Sequence, residues 1–130
     1  MLAEEEVALG EYDAVVVAVG GANNDQGATT EGEGVDRASL SLAGQQLALL
    51  QAVQKAAVAA QISMVTVLVD GKPTAEPFLL QLPAVIAAFQ GGQGQGVGVA
   101  SVISGAYNPS GKPLRLRSSH VISCCELLSG

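Results

Sequence analysis

The chain has 130 residues, enough for one domain and too few for a domain plus a full (β/α)₈ barrel. Hydrophobic residues make up 48%, which excludes wholesale disorder, while aromatics are only 3%, so the core must be built from Ala, Val, Leu and Ile. A net charge of −6, with six basic residues spread thinly, excludes a nucleic-acid surface and an anionic membrane surface, because both demand clustered Lys and Arg.

The first segment, Met1 to Glu11, carries Glu4, Glu5, Glu6 and Glu11. A secretory signal wants a basic start followed by an apolar stretch, so none is expected here. No apolar run along the chain reaches the roughly 18 residues needed to span a bilayer. Asp13 to Val19 (DAVVVAV) is a β-branched apolar run that stops at Gly20-Gly21, and it predicts a strand buried on both faces. Gly20 to Leu42 reads as a long polar loop, a length that compact domains tend to reserve for function. Gly44 to Ala60 predicts a helix: Leu47, Leu50, Val53 and Ala57 recur at helical spacing and no Pro interrupts them.

Met64 to Val69 (MVTVLV) predicts a second buried strand, ended by Asp70-Gly71 and Pro73, and Ala84 to Phe89 (AVIAAF) a third. The Gly/Gln stretch Gln90 to Gly98 leads into a short apolar helix through about Ile103, and Gly105 to Lys112 is turn chemistry. Strands alternating with helices predict an α/β fold with a mostly parallel sheet over residues 1–112. Residues 113–130 read as an irregular tail. Cys124 and Cys125 are adjacent and His120 is the single histidine, so neither a disulfide framework nor a zinc site is expected.

Four constellations bear on chemistry. In the acidic loop around Glu31-Gly32-Glu33-Gly34-Val35-Asp36-Arg37, three carboxylates alternate with small residues just beyond a strand, where α/β sheets place ligands. A partly buried Glu there suits a general acid, whereas the plainer reading is a solvated loop whose end is fixed by an Asp36–Arg37 pair. Gly91 to Gly98 lies between a strand and a helix, a place for a phosphate cradle and hence for a small-molecule or nucleotide-binding module. Its glycines do not match G-x-G-x-x-G and no P-loop Lys follows, so close helix–sheet packing explains them more economically. A Ser–His nucleophile is not expected, since no G-x-S-x-G elbow is present. The spacing of Glu31, Glu33 and Asp36 is compatible with a hard cation, but a calcium loop needs more ligands in a fixed order, and no metal or other cofactor is expected.

The string EGEGVDRASLSLAGQQLALLQAV (Glu31 to Val53) resembles the C-terminal α/β-sandwich domain of family 3 glycoside hydrolases, the β-glucosidases and β-xylosidases, with its E-x-E-x-x-D-R and S-L-x-L-P-G-x-Q motifs. Three further stretches are similar, in the same order: VTVLVDGKP (Val65 to Pro73), FQGGQGQGVGVASVISG (Phe89 to Gly105) and NPSGK (Asn108 to Lys112). The chain departs from the family pattern at Ala43, Gly91, Gln95, Ser101 and Ser104, and after Lys112.

The resemblance implies a three-layer α/β sandwich and a retaining hydrolysis of O-glycosyl bonds. In that chemistry one carboxylate, on a separate barrel, attacks the sugar, and a Glu from the sandwich loop serves as acid/base. The acid/base then maps to Glu33 or Glu31, with Glu33 preferred, and Asp36 with Arg37 becomes the pair that positions the loop. The nucleophile maps to no residue here, so the resemblance implies a chain inactive alone, whose partner is a carbohydrate substrate once a barrel is joined to it.

Overall fold

In the computed structural model, residues 8–21, 30–31, 37–110 and 121–123 are described, the last three by their backbone pairing alone. The β-branched run of the first strand forms β1 (Ala14–Gly20), and the chain then crosses through a helix, α1 (Gln46–Ala60), to β2 (Ser63–Val69). Parallel strands require such a crossover, because a tight hairpin reverses direction. The chain continues through a 3₁₀ turn at Pro77–Gln81 to β3 (Val85–Ala87), then to α2 (Gln95–Ile103) and β4 (Val121–Ser123). The four strands form one sheet in the order β1-β2-β3-β4, parallel throughout, which is the α/β architecture expected from the alternating pattern.

The main core cluster lies on one face of the sheet, while Val67 and Ile86, paired across β2 and β3, are buried on the other. Val17 and Val19 of β1, Met64 and Leu68 of β2, and Val85 of β3 point to the main cluster, and α1 closes it with Leu50, Val53 and Ala57. Leu79 and Leu82 seal the end beside the 3₁₀ turn. Helix α1 starts two residues later than Gly44, whose φ of +61° sets the chain into the turn that precedes it. It ends at Gln61, which adopts the left-handed conformation and donates its backbone N–H to the carbonyls of Ala57 and Val58. Leu50 is fully enclosed, so Leu50→Ala is expected to lower stability by about 2–5 kcal/mol, read from the urea midpoint at unchanged m-value.

Several expectations are corrected. The first strand is not buried on both faces: Val17 and Val19 are buried while Val16 is 50% exposed, and Ala14 and Ala18 are exposed beside it. Among the described residues, β1 has a strand neighbour on one side only, and α1 packs on one of its faces. The third strand is shorter than Ala84 to Phe89, because Phe89 turns to a φ of +50° and leaves the sheet. Within the Gly/Gln stretch, the helix begins at Gln95, so Gly96 and Gly98 are part of α2. Finally, the tail after Lys112 is not wholly irregular. Val121, Ile122 and Ser123 pair with Val85, Ile86 and Ala87, occupying the free side of β3. No helix among the described residues is long and apolar enough to cross a membrane.

Candidate active site

Because the strands are parallel, their carboxyl ends lie along one edge, where open α/β sheets gather ligand-binding loops. The chain leaves β1 at Gly20-Gly21, β2 at Asp70-Gly71 and β3 at Phe89-Gln90. These three turns converge on one side chain, the carboxylate of Glu31, which is 9% exposed. One of its oxygens accepts the backbone N–H of Gly71 at 3.0 Å, and the other accepts the side-chain amide of Gln90. A Cβ on Gly21 would fall 2.1 Å from Glu31 Cγ, and one on Gly71 would fall 2.5 Å from Glu31 Oε2. The two glycines therefore leave the space that the carboxylate fills.

Arg37 closes the base of the acidic loop. Its guanidinium donates from Nη1 to the Thr30 carbonyl at 2.6 Å and from Nε to the Ser39 carbonyl at 3.4 Å. The two ends of the stretch from Thr30 to Arg37 are thus tied together, and Glu31 at its start is tied to β2 and β3. Glu33 and Asp36 lie outside the described residues, as do His120, Cys124 and Cys125.

The floor of the site is fixed by side chains that the sequence reading did not single out. Gln46, at the start of α1, accepts the Gly20 N–H on Oε1 at 2.6 Å and donates from Nε2 to the Gly20 carbonyl at 2.8 Å. One carboxamide thereby occupies both backbone groups at the end of β1 and docks the helix to the strand. Beside Gly71, the buried Asp70 accepts from Lys72 Nζ at 3.0 Å and from the Thr74 hydroxyl through the same oxygen. Its other carboxylate oxygen is buried with no hydrogen-bond partner among the described residues. Gln46 falls on the glutamine of the S-L-x-L-P-G-x-Q motif, the one signal that marked it; nothing in the spacing of Asp70 or Gln90 announces a role.

The glycine-rich stretch builds a helix start. Gly92–Gly94 forms a 3₁₀ turn that runs into α2, and Gln95 donates from Nε2 to the Phe89 carbonyl at 2.7 Å. A Cβ on Gly91 would come 3.1 Å from Gln95 Cβ, so this glycine serves close packing within the turn. No observation here favours a nucleotide ligand over that packing role.

A carboxyl that transfers a proton in catalysis must have an oxygen able to face the leaving group. Glu31 engages one oxygen with the Gly71 N–H and the other with the Gln90 amide. Residues 1–116 match the family model described as Glycosyl hydrolase family 3 C-terminal domain. Among curated proteins, the chain is 37% identical over 101 residues to a Beta-xylosidase of Formosa agariphila, covering 77% of this chain and 13% of that protein. It is 38% identical over 82 residues to Thermostable beta-glucosidase B of Acetivibrio thermocellus, covering 63% of this chain and 10% of that protein. It is 36% identical over 102 residues to Probable beta-glucosidase J of Emericella nidulans, covering 78% and 11%. The chain thus spans about a tenth of the length of the curated relatives it matches. No solved structure matches it significantly.

Proposed function

This chain belongs to the glycosyl hydrolase family 3 C-terminal domain family, and from that premise we propose that its acidic loop supplies the acid/base of a retaining glycoside hydrolase, with Glu33 as the proton-transferring carboxyl. The observation that carries this reading is the engagement of Glu31. The two glutamates are equivalent candidates by spacing, but Glu31 is turned into the sandwich and held by Gly71 and Gln90. That leaves Glu33, two residues on, to meet a sugar. Arg37 supports the assignment from the other end by bonding the Thr30 carbonyl and bracketing Glu33.

The reaction is a double displacement. A carboxylate on a barrel domain attacks the anomeric carbon while Glu33 protonates the departing glycosidic oxygen; Glu33, now a carboxylate, then takes a proton from the water that releases the sugar. The two carboxyl groups must approach to about 5–5.5 Å for this outcome. Such a barrel takes about 250 residues, so the nucleophile is contributed by a domain outside these 130. The substrate class is an aryl or alkyl β-glycoside of the kind named for the relatives, a β-xyloside or a β-glucoside.

Two measurements test the reading. The purified chain, offered nitrophenyl β-xyloside and β-glucoside, is expected to release no nitrophenol, because it can protonate a leaving group but has nothing to displace it with. An enzyme in which this chain replaces the matching segment of the Formosa agariphila relative is expected to release it. Turnover by the chain alone that disappears in Glu33→Gln would place a nucleophile within these residues and contradict the division of labour proposed here.

A further inference from the structure

We propose that Phe89 is a substrate-binding residue: its ring stacks on the aglycone of a β-glycoside and selects leaving groups that present a flat apolar face. The inference rests on the β-glycosidase reading given above and adds the chemical class of the leaving group. It does not depend on which glutamate transfers the proton.

Three observations support it. Phe89 leaves β3 at the carboxyl edge of the sheet, directly before Gln90, whose amide bonds the Glu31 carboxylate. Its backbone holds a φ of +50°, a conformation that a bulky L-residue rarely adopts and that glycine takes without strain. A turn alone calls for glycine there, as at Gly44, Gly92 and Gly105, which hold the left-handed conformation elsewhere in the chain. Gln61 shares it at a helix end, where it is common. Strain of this kind persists where neighbours over-determine it, and it clusters at ligand sites. Here the Ala88 N–H bonds the Leu68 carbonyl at 2.9 Å and Gln95 holds the Phe89 carbonyl at 2.7 Å, so the backbone is fixed on both flanks. The third observation is that Phe78 packs against the main core cluster, whereas Phe89 is partly exposed and lies outside it.

The reaction assigns the ring to the leaving group. Nucleophile and acid flank the scissile bond, so with the nucleophile on a barrel the aglycone departs toward the domain that carries the acid. An aromatic side chain at that edge meets a flat aglycone by offset stacking.

The test is an NMR titration of the full chain with phenyl β-D-xyloside, with methyl β-D-xyloside as the comparison. The Phe89 ring protons and the Gln90 amide are expected to shift with the phenyl glycoside and to stay in place with the methyl one. Phe89→Gly removes the ring at a φ that glycine accepts, so the turn is retained. In that variant the Gln90 response is expected to fall by about two- to tenfold, the range of one aromatic contact. Phe89→Tyr keeps the ring and is expected to keep the response. Urea melts add a second reading: a ring that serves a ligand rather than the fold leaves the Phe89→Gly midpoint at or above the wild type, because strain is relieved. No shift with the phenyl glycoside, an equal shift with the methyl glycoside, or an undiminished response in Phe89→Gly would overturn the proposal. So would a Phe89→Gly midpoint below the wild type, which would make the ring part of the fold. Failure of the β-glycosidase reading would be read as absent turnover in the barrel-containing enzyme and would leave this binding pattern as it is.

Discussion

Replacing Glu33 by Gln in the barrel-joined enzyme is expected to lower kcat/KM on a β-glycoside with a poor leaving group by about 10²–10⁴-fold, the contribution of a positioned general acid. The effect should shrink on a dinitrophenyl glycoside, whose leaving group departs without protonation. Glu31→Gln should behave differently. It removes the charge that Gly71 and Gln90 address and turns one acceptor into a donor facing the Gln90 amide, so its main cost is about 1–3 kcal/mol in stability. Steady-state kinetics on the two substrates, set beside urea melts of both variants, separates the two roles. Loss of activity in Glu31→Gln that follows leaving-group acidity, with Glu33→Gln unaffected, would reverse the assignment.

Gly20→Ala is expected to be the most damaging small substitution in the chain. Gly20 closes β1 at a φ of +154°, and a Cβ there would lie 1.7 Å from the carbonyl oxygen of Val69. That neighbour is backbone in the middle of the site, so it cannot swing aside as a side chain would. Making room for the methyl would separate β1 from β2 where the Gly21 N–H bonds the Val69 carbonyl and where Gln46 grips Gly20. We expect a loss of at least about 4 kcal/mol, the range reached when a special backbone position is violated. Gly96→Ala is the contrasting control. It sits in α2 with open space where the Cβ would go, and a gain of about 0.5–1 kcal/mol is expected there. A urea midpoint for Gly20→Ala within experimental error of the wild type would contradict this view of the sheet edge.

The sequence made the middle of the fold legible and its borders less so. β1, β2 and α1 declare themselves because Val-rich runs and an i, i+3, i+7 stripe are local patterns with few alternatives. The open face of β1 is not local: it follows from β1 being the edge strand, and strand order is not written in any one segment. Val121–Ser123 is three residues long, too short for a periodicity to emerge, and it is a strand because β3 has a free side to pair with. The start of α2 is hidden for the opposite reason, since Gly96 and Gly98 are poor helix formers and read as loop.

The candidate site divides in the same way. Glu31, Glu33, Asp36 and Arg37 stand out from spacing and from the likeness to a glycosidase loop. What spacing cannot do is rank the two glutamates. The ranking we propose rests on Gly71 and Gln90, which are 40 and 59 residues away in sequence and hydrogen-bonded to Glu31 in space. Gln46 was marked only by the motif it falls on and Gln95 only as a departure from one, because a carboxamide bonded to backbone groups leaves no charge or spacing signal in the chain.

The most direct test of the central claim uses a nucleophile that needs no general base. In the barrel-joined enzyme, Glu33→Ala should accumulate the glycosyl–enzyme intermediate on a dinitrophenyl glycoside, because no carboxylate remains to activate water. Added azide should then restore turnover and give the β-glycosyl azide, with retained configuration, identified by NMR of the product. Azide rescue in Glu31→Ala, with none in Glu33→Ala, would contradict the account and make the tethered carboxylate the acid/base.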